Sequence, residues 1–144
     1  MMYTLNIKCI EGHYYDGNTC SRIIEMSAHD SLDDLHEIIQ KAVNFGNDHP
    51  YTFYGGRYPR HRKIRFGENE YGEHDSRLFW KIPLNDVYPL PSGFKLYYVF
   101  DFGDHWLFEI RKSRKKTEFM SGVSYPRIIE KIGLNPTQYP SFEE

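Results

Sequence analysis

Six side chains in this sequence have the chemistry to hold a divalent metal or to move a proton: His36, His49, Asp101, Asp104, His105 and Glu109. Imidazoles and carboxylates do either job when they converge on one point. Their spacing matches no HxxxH, HExxH or CxxC pattern, so ligand spacing does not support a metal cofactor. Catalytic use of His36, His49, Asp101, Asp104 or Glu109 depends on convergence, and so does metal use of His36, His49, Asp101 or Asp104. A structural use is open beside it. Asp104 stands where turns favour Asp, and Asp101 can accept from backbone N–H groups or from the Trp106 indole. His36 can bond Asp101 and pin a helix to a hairpin. The triplet Asp101-Phe102-Gly103 also occurs in protein kinases, but the Gly-rich loop and His-Arg-Asp loop of a kinase are missing here.

A second set of residues is basic. Ten of the 18 Lys and Arg fall in two stretches, 57–65 and 111–116, and the remainder has 8 basic against 20 acidic residues. Such clustering can be the footprint of nucleic acid or another polyanion. The residues expected to bind are Arg60, Arg62, Lys63, Arg111, Arg114 and Lys115, with Trp106. Tyr54, Tyr58 and Phe66 lie close enough in sequence to stack bases. With a net charge of −2, two solvated loops are the plainer reading. A protein partner on an exposed edge strand is a third.

The elements that must position these groups follow from periodicity. Residues 96–110, LYYVFDFGDHWLFEI, are the most apolar run and read as a hairpin of β-formers. A two-residue Gly103-Asp104 loop of type II′ predicts the pairs Asp101–Trp106, Phe100–Leu107, Val99–Phe108 and Tyr98–Glu109. Residues 3–10 alternate, with Leu5, Ile7 and Cys9 on one face, and 20–27 read as their antiparallel partner. Cys9 and Cys20 then sit near the open loop end, as two small buried hydrophobes. Residues 30–45 carry the helix signal: Leu32, Leu35, Ile39, Ala42 and Val43 form a stripe, Ser31 and Asp34 approximate a capping box, and Gly46-Asn47 ends it. Residues 51–54 are a short aromatic strand, 57–76 a polar excursion with a strand at 63–66, and 77–82 a further apolar piece. One helical turn is expected at 84–87. A short C-terminal helix is predicted from Pro126 through Ile128, Ile129 and Ile132 to Gly133. The tail 135–144 is expected to pack loosely, through Tyr139 if at all.

Together these predict one α+β domain over 1–144: a mixed, mainly antiparallel sheet with one helix across it, in a β-grasp-like β-β-α-β order. The chain is long enough to bury a core without disulfides, and two cysteines make no disulfide framework. No apolar run approaches 18 residues, so no membrane span is expected. The first fifteen residues lack a signal-peptide layout, and a cytoplasmic, reduced protein is the expectation.

Leu35-His36-Glu37 on the helix, His49 and Phe53 at the next strand, and Asp101-Phe102-Gly103-Asp104-x-Trp106 with Glu109 beyond it carry a resemblance. Over roughly residues 3–133 the chain resembles the Ri-plasmid Orf3-like family, also labelled an insertion-sequence passenger "TnpR" family. The resemblance implies an α+β fold and no assigned biochemistry. Phe108 stands where many members carry His, and a Cys/Pro/Gly-rich segment after the hairpin is lacking. A metal role needing those groups does not carry over. Recombinase chemistry does not follow from the label either, since a serine nucleophile in an arginine-rich setting is not found. The function expected is a binding or accessory module in a mobile-element or nucleic-acid context, not an enzyme. The alternative is a metal-dependent or acid/base enzyme built on the His/Asp cluster.

Overall fold

Alternating strands carry most of the architecture. The computed structural model describes residues 1–66, 79–115 and 117–141. In chain order the elements are β1 (Met2–Glu11), β2 (Ser21–Ser27), α1 (Leu32–Val43), β3 (Tyr51–Gly56), β4 (Ile64–Arg65), a 3₁₀ turn (Phe79–Lys81), α2 (Leu84–Val87), β5 (Lys95–Phe100), β6 (Trp106–Lys112) and β7 (Arg127–Ile132). The seven strands form one sheet ordered β4-β3-β5-β6-β1-β2-β7. Among the described residues each of the six pairings between neighbours is antiparallel, where a mixed sheet was expected. The order β-β-α-β is present at the start of the chain, but β6 and not β3 lies beside β1. No helix among the described residues is long and apolar enough to cross a membrane. Residues 67–76 of the expected excursion at 57–76 lie outside the described residues, as do Arg77 and Leu78 of the apolar piece expected at 77–82.

One face of the sheet meets α1. Leu5, Ile7 and Cys9 of β1, Ile24 and Met26 of β2, Leu96, Tyr98 and Phe100 of β5, and Trp106, Phe108 and Ile110 of β6 pack there against Leu32, Leu35, Ile39 and Val43. Ser31 caps α1 as predicted. Its hydroxyl accepts from the Asp34 N–H at 3.1 Å while the Asp34 carboxylate accepts from the Ser31 N–H at 2.9 Å. The helix ends at Asn44, in the left-handed region at φ 58°, before the expected Gly46. Cys9 and Cys20 are both free and buried, and the Cys9 N–H donates to the Cys20 carbonyl at 3.0 Å.

Two expectations fail. The hairpin turn is not Gly103-Asp104, because the register is Phe100–Trp106, Val99–Leu107, Tyr98–Phe108 and Tyr97–Glu109, leaving five residues in the loop. A type II′ turn needs positive φ at its first central residue. Here Asp101 (φ 62°) and His105 (φ 54°) take the left-handed conformation, and Gly103 does not. Slipping by one residue exchanges face partners: Trp106 shares its face with Phe100 and Tyr98, not with Val99. The predicted C-terminal helix is also absent. Residues Arg127–Ile132 form β7, paired to β2. Three isoleucines in six residues favour a strand once an open sheet edge is available.

Arg22 explains how that edge and the helix are joined. It lies on the apolar face of β2 and is 1% exposed. Its Nε donates to the Ala42 carbonyl at the end of α1 (2.8 Å), Nη1 to the carbonyls of Ser21 (2.8 Å) and Ile132 (3.0 Å), and Nη2 to Asn135 Oδ1 (2.8 Å). A guanidinium is the one side chain with donors enough for these acceptors. Single-handedly it ties β2, α1, β7 and the tail.

Candidate functional site

The His/Asp set does not converge as a whole. His36 is 2% exposed on the buried side of α1, Glu109 is on the opposite face of the sheet, Asp104 and His105 are in the β5–β6 loop, and His49, just before β3, meets Asp101 of that loop. His36 Nδ1 lies 2.5 Å from the Tyr98 hydroxyl and Nε2 lies 2.6 Å from Asn47 Oδ1. Asn47 donates through Nδ2 to Glu37 (3.1 Å), which turns its Oδ1 to the imidazole, so Nε2 carries the proton and Nδ1 accepts from Tyr98. Gln40 closes the circuit: its Nε2 donates to the Tyr98 hydroxyl at 2.9 Å and its Oε1 accepts from the Asn47 N–H at 3.0 Å. The network is complete with a neutral His36. Burial pushes this imidazole below the usual histidine range, against the Asn47 hydrogen bond and the Glu37 and Asp33 charges. The predicted His36–Asp101 bond is therefore replaced by Tyr98 and Asn47. Asp33, His36 and Glu37 bring ligand atoms within 4.8 Å of one another. Both His36 nitrogens are already bonded, so that trio differs in kind from a preformed metal site.

Asp101 does hold the turn. It is 7% exposed, and its Oδ1 accepts from the N–H groups of Gly103 (3.1 Å) and Asp104 (3.2 Å). The Trp106 indole N–H, expected as a donor to Asp101, is buried without a partner among the described residues. Asp101→Asn keeps an acceptor and tolerates positive φ, and is expected to cost under about 1 kcal/mol. Asp101→Ala loses both bonds and strains the backbone, costing about 2–3 kcal/mol. Urea midpoints of the two variants check this.

The third member, His49, is partly exposed and stands 3.4 Å from Asp101 Oδ2. Its Nε2 donates to the Tyr139 hydroxyl at 2.7 Å, which donates in turn to Asp48 Oδ2 at 2.6 Å. The Asp48 carboxylate pushes the Tyr139 phenol up to about 12. Gln138 adds bonds to the Gly46 N–H (2.7 Å) and Asp48 Oδ1 (2.9 Å). The tail is thus pinned by Asn135, Gln138 and Tyr139 as far as it is described, and His49 is one of the pins.

The basic residues have a different distribution. On the sheet face away from α1, Lys8, Glu109, Tyr97, Tyr54 and Arg65 stand directly opposite one another across five strands. Arg111 projects on the same face one step along β6, its Nε 2.7 Å from Glu109. At the other end of that row the Arg62 guanidinium lies over the Tyr54 ring at 4.7 Å. Arg60, Arg62 and His105 line a hollow of about 370 Å³ together with Glu11. Arg111 and Lys8 line another of about 330 Å³ with Asn6 and Glu109. Lys63, Arg114 and Lys115 are exposed. Lys112 is not part of this surface, because its ammonium lies over the Tyr3 and Tyr88 rings. Trp106 is also withdrawn: it is fully buried, and a side chain at Gly12 would meet its ring at 2.8 Å. Tyr54 is buried and donates to the Pro59 carbonyl, and Phe66 packs on the core. Tyr58 is exposed and stacks on His61 at 5.2 Å.

A larger cleft, about 820 Å³, lies against β3 and went unread in the sequence. Asp33, Tyr51, Arg62, Phe79, Trp80 and Phe102 are among its walls. Asp33 reads in sequence as a helix-dipole charge and Phe102 as a strand residue, so neither signals a cavity. Tyr51 stacks on His36 at 3.8 Å and 8°, and its hydroxyl donates to Asp33 Oδ1 at 2.8 Å.

The sequence pattern of the family described as plasmid pRiA4b ORF-3-like protein matches residues 11–138. The chain belongs to that family. Among curated proteins none matches. A pRiA4b ORF-3-like chain such as this one also has a solved structural relative, described as a protein of unknown function from Methanosarcina mazei Go1. It shares 21% identity at a TM-score of 0.64, over 90% of this chain and 68% of that one. At that identity the likeness is one of fold. It supports an α+β domain with a mainly antiparallel sheet for this family member.

Proposed function

We propose that this protein is a binding module for single-stranded nucleic acid. The observation that carries the reading is that residues of both basic stretches, some fifty residues apart in sequence, stand on the one face of the sheet that α1 does not cover, Arg62 at one end of the row and Arg111 beside Glu109 further along it. Arg60 and Arg62 line one hollow, beside Glu11, and Arg111 with Lys8 lines another, beside Glu109, while Lys63, Arg114 and Lys115 add exposed charge. The stacked Tyr58–His61 pair offers an exposed aromatic surface beside Arg60. Sequence-tolerant binders combine these two features, a basic track and exposed rings.

Against acid/base or metal chemistry stand the assignments of the other candidates. His36 is closed in a hydrogen-bond circuit, Asp101 holds a turn and His49 holds the tail. The decisive measurement is fluorescence anisotropy of a labelled oligonucleotide across a salt series. The log–log slope is expected to be about −0.7 per phosphate contacted. Arg60→Ala with Arg62→Ala should shallow it by about 1.4, and Arg111→Ala by about 0.7. Binding absent at low salt would remove the proposal.

A further inference from the structure

Arg62 lines both the basic hollow with Arg60 and His105 and the larger aromatic cleft against β3. The two spaces therefore adjoin at one guanidinium. A strand whose phosphate is held by Arg62 has its next base within reach of that cleft.

The walls of the cleft have the chemistry of a base pocket. Trp80 is half-buried and Phe102, at the tip of the β5–β6 loop, is 56% exposed, so both have ring surface to give. Phe79 meets Trp80 edge to face at 5.6 Å, and Tyr51 meets Phe79 at 5.6 Å. Tyr51 is held from behind by its stack on the buried His36, so this wall is preorganised. Asp33, half-buried in the first turn of α1, also lines the cleft. A carboxylate has about four lone-pair sites, and the Tyr51 hydroxyl takes one. The cleft's lining thus offers flat aromatic rings, an acceptor-only carboxylate and a cation. An aromatic ring bearing two adjacent N–H donors, joined to a phosphate, is complementary to that arrangement. Guanine is the base with such an edge, in its ring N–H and exocyclic amino group. Adenine, cytosine and uracil each present one donor group beside an acceptor. Unstacked bases are read in this way, on their Watson–Crick edges and between aromatic rings.

We infer that the cleft formed by Asp33, Tyr51, Trp80 and Phe102 receives one unpaired guanine of a single-stranded nucleic acid whose adjoining phosphate lies on Arg62. The inference rests on the proposed nucleic-acid binding and adds to it a base preference and a place where the base goes.

The test uses the full chain and a set of heptanucleotides of uridine in which only the central residue varies: guanine, adenine, cytosine, uracil or an abasic site. Trp106 is fully buried, so quenching on titration reports Trp80. The guanine oligonucleotide is expected to bind about tenfold tighter than the others and to quench the fluorescence, and Trp80→Phe should abolish the quenching. Asp33→Asn, which can still accept from Tyr51, should erase the preference while leaving the salt slope as in the native protein. Equal, salt-dependent binding of all five oligonucleotides without quenching overturns the guanine pocket and leaves the basic surface standing. Preference for another base overturns the assignment of guanine. Failure of every oligonucleotide to bind at low salt overturns the pocket and the proposed function together.

Discussion

Arg22→Ala is expected to lower the unfolding free energy by about 3–5 kcal/mol, a large share of the 5–15 kcal/mol of an ordinary domain. The side chain is 1% exposed and donates to carbonyls of Ala42, Ser21 and Ile132 and to Asn135 Oδ1. Deleting it leaves buried acceptors unpaired, at about 1–3 kcal/mol each where water cannot enter. It also leaves a cavity beneath α1. Arg22→Lys should recover little, since an ammonium on a flexible stem cannot reproduce a planar fork aimed at separate carbonyls. Asn135→Ala removes one bond at the rim and should cost about 1 kcal/mol. Urea unfolding followed by circular dichroism ranks the three, and a loss below about 1 kcal/mol for Arg22→Ala would show that the guanidinium is dispensable.

Acidification should weaken the fold through His36. Its folded-state value lies below the unfolded one because burial penalises the charged ring. In the window between the two, the unfolded chain binds the proton and the folded chain does not, so stability rises with pH. The contribution is fully present above about 6.5, the unfolded value. As pH falls from there towards the folded value it is lost, at up to about 1.4 kcal/mol per pH unit for one proton. His36→Leu should remove this slope. It should also cost about 2–4 kcal/mol at neutral pH, because Asn47 Oδ1 loses a donor and the Tyr98 hydroxyl loses its acceptor. Urea midpoints at pH 7.5 and 5.0 for both proteins separate this proton from those of the other six histidines. An unchanged slope in His36→Leu would assign the pH dependence elsewhere.

Much of the fold was legible along the chain, for local reasons. Alternation at Leu5, Ile7 and Cys9 announces a strand with one buried face, and Ser31 with Asp34 announces the start of α1. The aromatic density of residues 96–110 announces the central hairpin, and Leu35-His36-Glu37 with Asp101–Trp106 marks the family. Each of these signals lies within one turn of helix or one strand, where the period of the backbone acts directly on neighbouring residues.

What only the tertiary structure decided are matters of pairing between distant residues. Hairpin register turned on left-handed Asp101 and His105, conformations for which Gly103 was the better candidate by type. Arg127–Ile132 fits a helix by its isoleucine spacing and becomes a strand because β2 offers an unpaired edge. His36 could be seen as a buried-side histidine, but its partners Tyr98 and Asn47 lie 62 and 11 residues away. The clefts at Arg62 likewise join α1, β3 and the β5–β6 loop. A sequence period determines which side a residue faces; which group meets it there depends on the packing of elements whose separation along the chain carries no periodic signal.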